Sequence, residues 1–137
     1  MEDLEISKIC LDTDILIDFL KGDPEIVKKT KELEERHELT TTTINIFELY
    51  FGAFKSRKVE GNVKAVDELV ERLEPLKFTS NSAKISGKII ADLERKGEPI
   101  DFRDAMIAGI ALENEALIYT RNMRHFKRVE ELKLYEG

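Results

Sequence analysis

The sequence predicts an α/β protein, a three-layer sandwich around a central, mainly parallel sheet of four or five strands. Three observations predict it. Short apolar or threonine-rich runs recur at 8–12, 37–44, 76–78 and 116–120. Longer stretches between them repeat their apolar residues at helical spacing. Strands alternating with helices in this way are joined by right-handed crossovers, which place helices on both faces of a parallel sheet.

Taken in order, "KICLD" reads as a short buried strand. Asp14 then reads as a helix cap before Ile15, Leu16, Phe19 and Leu20, with Gly22 as the stop. Asp23 as N-cap and Pro24 at the first helical position open a charged, mostly solvent-facing helix. The threonine strand ends at Thr42 or Thr43, which caps the helix "INIFELYFGAFKS". Val63, Val66, Leu69, Val70 and Leu73 place a helix over 62–73 that Pro75 ends, before a strand at 76–78. "TSNS" caps a helix with Ile85, Ile89, Ile90 and Leu93 on one face, closed by Gly97. The following helix, "DFRDAMIAGIALENE", is apolar nearly all round, so it should be buried, with Ala105, Ala108 and Gly109 allowing close approach to the sheet. "ALIYT" is the next strand, and "LKLY" reads as a small edge strand.

The 137 residues fit a single domain, 1–137, with a real core. Charged residues make up 36%, against a typical ~25%. The one cysteine, Cys10, excludes an internal disulfide, suits a reducing interior and reads as a small buried hydrophobe. "MEDLEISKIC" is acidic and lacks the apolar core of a signal peptide, and no apolar run approaches the ~20 residues that span a bilayer. A cytoplasmic protein with no membrane partner is expected. The net charge of −6 argues against a large nucleic-acid footprint but allows a basic rim around an acidic site. "RNMRHFKR" supplies such a rim in Arg121, Arg124, Lys127 and Arg128, with a smaller cluster in Lys55, Arg57 and Lys58; a solvated surface explains both equally well.

Several acids fall at one edge of the predicted sheet. Asp12 ends the first strand, and Glu48 lies early in the helix after the second. Asn122 follows the strand ending at Thr120, and Asp101 and Asp104 open the helix before that strand. A helix antiparallel to its next strand has its N-terminus at that strand's carboxyl end, where ligands of parallel sheets gather. Each residue also has a plainer explanation. Asp12 can simply end a strand. Asp14 is a cap and Asp18 faces solvent. Glu48 can belong to a polar stripe with Asn45, Gly52 and Lys55, and Asp101 with Asp104 forms an N-cap and N3 pair. A bare carboxylate at the inner end of a buried helix, as Asp104 would be, needs neutralising. Oxygen donors without a spaced His or Cys set suit Mg²⁺ or Mn²⁺ and not zinc, since His37 and His125 have no spaced partner.

Four pieces in this order, "ICLDTDILID", "INIFELYFGA", "GEPIDFRDAMIAGIAL" and "LIYTRNMRHFKRV", resemble the PIN-domain family, in particular VapC toxins of prokaryotic toxin–antitoxin pairs. The resemblance runs over nearly the whole chain. It implies a metal-dependent endoribonuclease cutting single-stranded or exposed RNA to a 5′ phosphate and a 3′ hydroxyl. Asp12, Glu48 and Asp104 match the first three acids of the family. Asn122 stands where many members have a fourth, which puts a second metal in doubt. The implied catalytic set is Asp12, Glu48, Asp104 and Asn122, with metal binding by Asp12, Asp104 and Glu48, support from Thr13, and RNA contact by Arg121, Arg124 and Lys127; Asp101 matches no motif position and stands only as a supporting acid. A small VapB-like antitoxin and a homodimer are the implied partners, with Phe51, Phe54 and Val59 available either for a dimer or for core packing.

Three alternatives stand against this reading: a phosphatase, a non-catalytic domain and a phosphoacceptor receiver. A haloacid-dehalogenase-like phosphatase would use Asp12-x-Asp14 after the first strand, but the late pair of neighbouring acids it needs is missing. A non-catalytic PIN-like interaction domain would keep the fold and lose the chemistry. A phosphoacceptor receiver would need an acid after the third strand, where Thr79 follows Phe78.

Overall fold

The computed structural model describes residues 6–137. Residues 1–5, part of the segment read above for a leader peptide, lie outside them. The elements run β1 (Lys8–Leu11), α1 (Thr13–Leu20), α2 (Pro24–Arg36), β2 (Glu38–Thr42), α3 (Thr43–Phe54), α4 (Val59–Glu71), β3 (Glu74–Leu76), α5 (Ser80–Arg95), α6 (Phe102–Asn114), β4 (Ala116–Tyr119) and α7 (Met123–Phe126).

The sheet has the order β3-β2-β1-β4, and every pairing is parallel. Alternation along β1 sends Ile9 and Leu11 to one face and Cys10 to the other. Ile9 and Leu11 pack with Ile15 and Leu16 of α1, Ile26 and Leu33 of α2, Leu49 of α3 and Val66 and Leu69 of α4. Cys10 joins Ile118, Ile89 and Leu93 of α5, the buried face of α6 and Phe126 of α7. These two cores on opposite faces are the three predicted layers.

The caps follow the sequence signals in three places. Asp23 accepts from the Glu25 and Ile26 amides with Pro24 behind it, Thr42 makes a capping box with Asn45, and Thr79 makes one with Ser82. Gly22 and Gly97 take positive φ just past their helices. The first helix differs from expectation, because its N-cap is Asp12 and not Asp14. The third strand lies at Glu74–Leu76 and not at 76–78. Pro75 therefore sits within it, as an edge strand tolerates, since no neighbour needs the missing N–H. The helix expected over 62–73 starts earlier, at Val59. "LKLY" forms no strand, only a single parallel bridge between Leu134 and Ile118.

Phe47, Phe51 and Phe54 are exposed on α3, with Val59 at the start of α4, so none of them serves the core. Among the described residues, no helix is long and apolar enough to cross a membrane.

Candidate active site

Asp12 is 1% exposed, directly past the end of β1. Its amide donates to the Tyr119 carbonyl (2.9 Å), extending the β1–β4 ladder by one residue. The buried Thr41 hydroxyl pins the preceding Leu11 carbonyl at 2.7 Å. The position of the Asp12 carboxylate is thus set by the middle of the sheet. Oδ1 accepts from the Thr13 amide (2.8 Å), from Asn45 Nδ2 (2.9 Å) and from Arg103 Nη2 (2.7 Å). Oδ2 accepts from the Thr120 hydroxyl at 2.7 Å.

Arg103, on the first turn of α6, reaches three acids at once. Nη1 donates to Asp104 Oδ1 at 2.6 Å, Nη2 to Asp12 Oδ1, and Nε and Nη2 to Glu48 Oε2 and Oε1 at 2.7 and 2.9 Å. Burial opposes its charge, but the hydrogen bonds it donates to Glu48 and the charge of Asp12 outweigh burial and lift its pKa above the ordinary arginine range. Asp104 is 5% exposed. Its Oδ2 lies 3.5 Å from His125 Nδ1, which brings His125 to the cluster's edge. Glu48 also accepts from the Thr13 hydroxyl at 2.6 Å, and Thr13 in turn accepts from Asn45 Nδ2 at 2.9 Å.

Asp12, Glu48, Asp104 and Thr13 therefore come together. Asp101 does not join them: it is exposed at the N-cap of α6, and its side chain makes no capping bond. Asn122 does not join either. It is exposed, and its backbone amide donates to Thr120 Oγ1 at 3.0 Å. Asp18 is not the solvent-facing acid expected, because it pairs with Arg121 Nε at 2.7 Å. Arg121 is also 4.0 Å from Asp23, so its charge is partly used within the protein. Arg124 and Lys127 are exposed. Asp14 accepts from the Ile15 amide (2.7 Å) and the Arg121 amide (3.0 Å), and its Oδ2 lies 3.5 Å from the Thr120 hydroxyl that donates to Asp12. Burial, and then the charge of Asp12, lift the Asp14 carboxyl above the usual carboxylate range.

Asn45, Arg103 and Thr120 are the site residues that sequence reasoning missed. Asn45 is fully buried, not part of a polar stripe. The Thr42-x-x-Asn45 spacing was its signal, a capping-box pattern that turns the amide inward. For Arg103 the signal was a lone cation beside Asp104 at the start of an otherwise apolar helix.

Hard carboxylate oxygens converging on one cation fit a Mg²⁺ or Mn²⁺ ion in donor chemistry. As arranged, no group of three or more His, Cys, Asp or Glu among the described residues is placed to hold one, because the guanidinium stands between them.

Buried acids at the carboxyl edge of a parallel sheet, on an α/β sandwich of this order, define a domain built around an acidic, metal-compatible centre. A family model described as PIN domain matches residues 9–132, and the chain belongs to that family. Its relatives include the tRNA(fMet)-specific endonuclease VapC of Salmonella typhimurium, 34% identical over 127 residues, which span 93% of this chain and 96% of that one. Ribonuclease VapC1 of Haemophilus influenzae is 32% identical over 90% of this chain and 92% of its own. Among solved structures, VapBC2 from Rickettsia felis bound to a promoter DNA fragment superposes with a TM-score of 0.87 at 29% identity, covering 93% of this chain and 97% of that one. DNA-bound VapBC from Salmonella typhimurium gives 0.85 at 32% identity, covering 96% and 98%.

Proposed function

We propose that this chain is a Mg²⁺- or Mn²⁺-dependent endoribonuclease that cuts single-stranded or exposed RNA, and the toxin of a pair with a small VapB-like antitoxin. The observation that carries the reading is the meeting of Asp12, Glu48 and Asp104, from three separate segments, around one guanidinium. Relatives named as VapC nucleases, and neighbours solved as VapBC complexes, support the substrate class and the partner.

Asp12, Asp104 and Glu48 would hold the ion. When bound, such an ion supplies Lewis acidity toward water and phosphate oxygen. The chain's own residues prepare the seat. Thr120, Thr13 and Asn45 fix the Asp12 carboxylate, and the Thr13 hydroxyl fixes Glu48. Arg124 and Lys127, both exposed beyond β4, would meet the RNA backbone, with Arg121 contributing less because of Asp18. Asn122 would sit at the rim as a neutral amide, so the reading asks for three acids and one ion. The exposed phenylalanines of α3 offer an apolar face for a homodimer.

The test is cleavage of labelled single-stranded RNA with Mn²⁺, with EDTA, and by Asp12→Asn and Glu48→Gln. Cutting should need the metal and vanish in both variants. Undiminished cutting by the variants would defeat the assignment. A lack of cutting, with no Mn²⁺ stabilisation dependent on Asp12 and Asp104, would instead favour the non-catalytic interaction domain.

A further inference from the structure

We propose that Arg103 is the resident counter-ion of the metal seat, and that divalent ion and guanidinium exclude one another, so that metal enters by expelling Arg103 toward solvent. This rests on the reading that Asp12, Glu48 and Asp104 bind the ion. Asp12 Oδ1 accepts three donors, more than its two lone-pair directions, and Oδ2 accepts one. An ion that uses Asp12 Oδ1 must therefore displace a donor, and one shared with Glu48 and Asp104 must enter the space the guanidinium fills.

Two of the four donors cannot yield, and a third can only turn in place. The Thr13 amide is backbone at the start of α1. Asn45 is fully buried, and its Oδ1 accepts from the Thr42 hydroxyl at 2.6 Å in the capping box. Thr120 is 4% exposed, accepts from the Asn122 amide, and can turn its hydroxyl toward Asp14 Oδ2, 3.5 Å away, without leaving the site. Arg103 alone combines a long flexible stem with an open route, its side chain being 31% exposed at the outer end of α6. It also occupies Glu48 through both carboxylate oxygens and Asp104 through one, so the same side chain blocks every acid the ion would use. Without an ion, the guanidinium keeps three acids compatible with folding. With one, it becomes a free cation beside the site, on the side where an RNA phosphate would arrive.

The test is Mn²⁺ titration by calorimetry on the wild type, Arg103→Gln, Arg103→Lys and Asp12→Asn, with thermal melts in EDTA alongside. Removing a competitor held by charge-assisted hydrogen bonds should tighten Mn²⁺ binding by about tenfold or more in Arg103→Gln. Arg103→Lys, which keeps the charge but not the planar fork, should fall between that variant and the wild type. In EDTA, Arg103→Gln should melt below the wild type, and saturating Mn²⁺ should close the gap. If wild type and both Arg103 variants bind Mn²⁺ equally, through Asp12, the exclusion is wrong while the metal site stands. If no protein binds Mn²⁺ in an Asp12-dependent way, the metal reading itself falls and takes the proposal with it. Should Arg103→Gln fail to fold, Arg103→Lys decides alone, and unchanged affinity there overturns the proposal.

Discussion

Gly109 lies on α6 where that helix crosses α5, and it should resist a change that most helical glycines welcome. An ideal Cβ there would sit 2.1 Å from Ser86 Oγ, 2.7 Å from the Ser82 carbonyl oxygen and 3.2 Å from the Ser86 amide. The Ser86 hydroxyl is buried and makes no hydrogen bond among the described residues, so it can turn away cheaply. The Ser82 oxygen is backbone and cannot. Restoring an ordinary C···O separation of about 3.3 Å requires the helices to part by several tenths of an ångström. Overpacking of that kind costs about 1–3 kcal/mol, and the backbone contact that cannot relax places Gly109→Ala at about 2–2.5 kcal/mol. Replacing a helical glycine by alanine returns about 0.5–1 kcal/mol. The net loss is then about 1–2 kcal/mol, which for 137 residues lowers Tm by roughly 4–7 °C. Gly87, exposed on α5 with nothing within 4 Å of its would-be Cβ, is the control. Gly87→Ala should raise Tm by about 2–3 °C. Differential scanning calorimetry on both variants decides the matter. If Gly109→Ala melts at or above the wild type, the close α5–α6 approach is not what requires glycine there.

Other perturbations test the site and the surface. Thr120→Val removes the donor to Asp12 Oδ2 and the acceptor for the Asn122 amide, and should cost about 1–3 kcal/mol in urea denaturation; a smaller loss would mean that water replaces the hydroxyl. Asp12→Asn keeps an N-cap acceptor for Thr13 while Asp12→Ala does not, so alanine should be less stable by about 1 kcal/mol although both lose Mn²⁺ binding; equal stabilities would show that the cap contributes nothing. Cys10 is fully buried, and burial first, with Asp12 adding, pushes its thiol up to about 12. Ellman's reagent should therefore label it only at the rate of unfolding, and rapid labelling of the native protein would contradict that burial. Phe51→Asp with Phe54→Asp should lower the apparent mass by light scattering at micromolar concentration, whereas an unchanged mass would place any dimer elsewhere.

Much of the fold was legible because its signals are local. Asp23-Pro24, the Thr79 box and the glycines after α1 and α5 act on their own backbone, and helical periodicity needs no knowledge of partners. The all-apolar α6 announced its own burial. Misreadings arose where tertiary position decides. Pro75 looks like a terminator until its strand is known to be an edge. Phe51 and Phe54 fit a dimer or the core equally well until α3 is seen to bury Leu49 and Ala53 instead. Asp12 and Asp104 were legible because each sits at an element boundary fixed by topology; Glu48, inside α3, joined them only through the resemblance. Their guanidinium was legible only in part: Arg103 stands beside Asp104 at the start of a buried helix, but nothing local says that it reaches Asp12 and Glu48.

The strand order explains why the acids meet where they do. From β1 the chain steps to β2 and then β3, and returns across the sheet to place β4 on the other side of β1. After β1 the chain enters α1, whose Ile15 and Leu16 pack on one face. After β4 it enters α7, whose Phe126 packs on the other. The two loops diverge, and a crevice opens between the ends of β1 and β4, the switch point at which open α/β sheets bind ligands. Asp12 and Thr120 stand at its two sides. The N-termini of α1, α3 and α6 end at this same edge, so Asp12 as N-cap of α1 and Asp104 in the first turn of α6 both sit in favourable helix dipoles. Dipole effects of about 0.3–1 kcal/mol each are too small to neutralise a set of buried carboxylates. A full cation is required, and in this structure Arg103 supplies it to Asp12, Glu48 and Asp104 together.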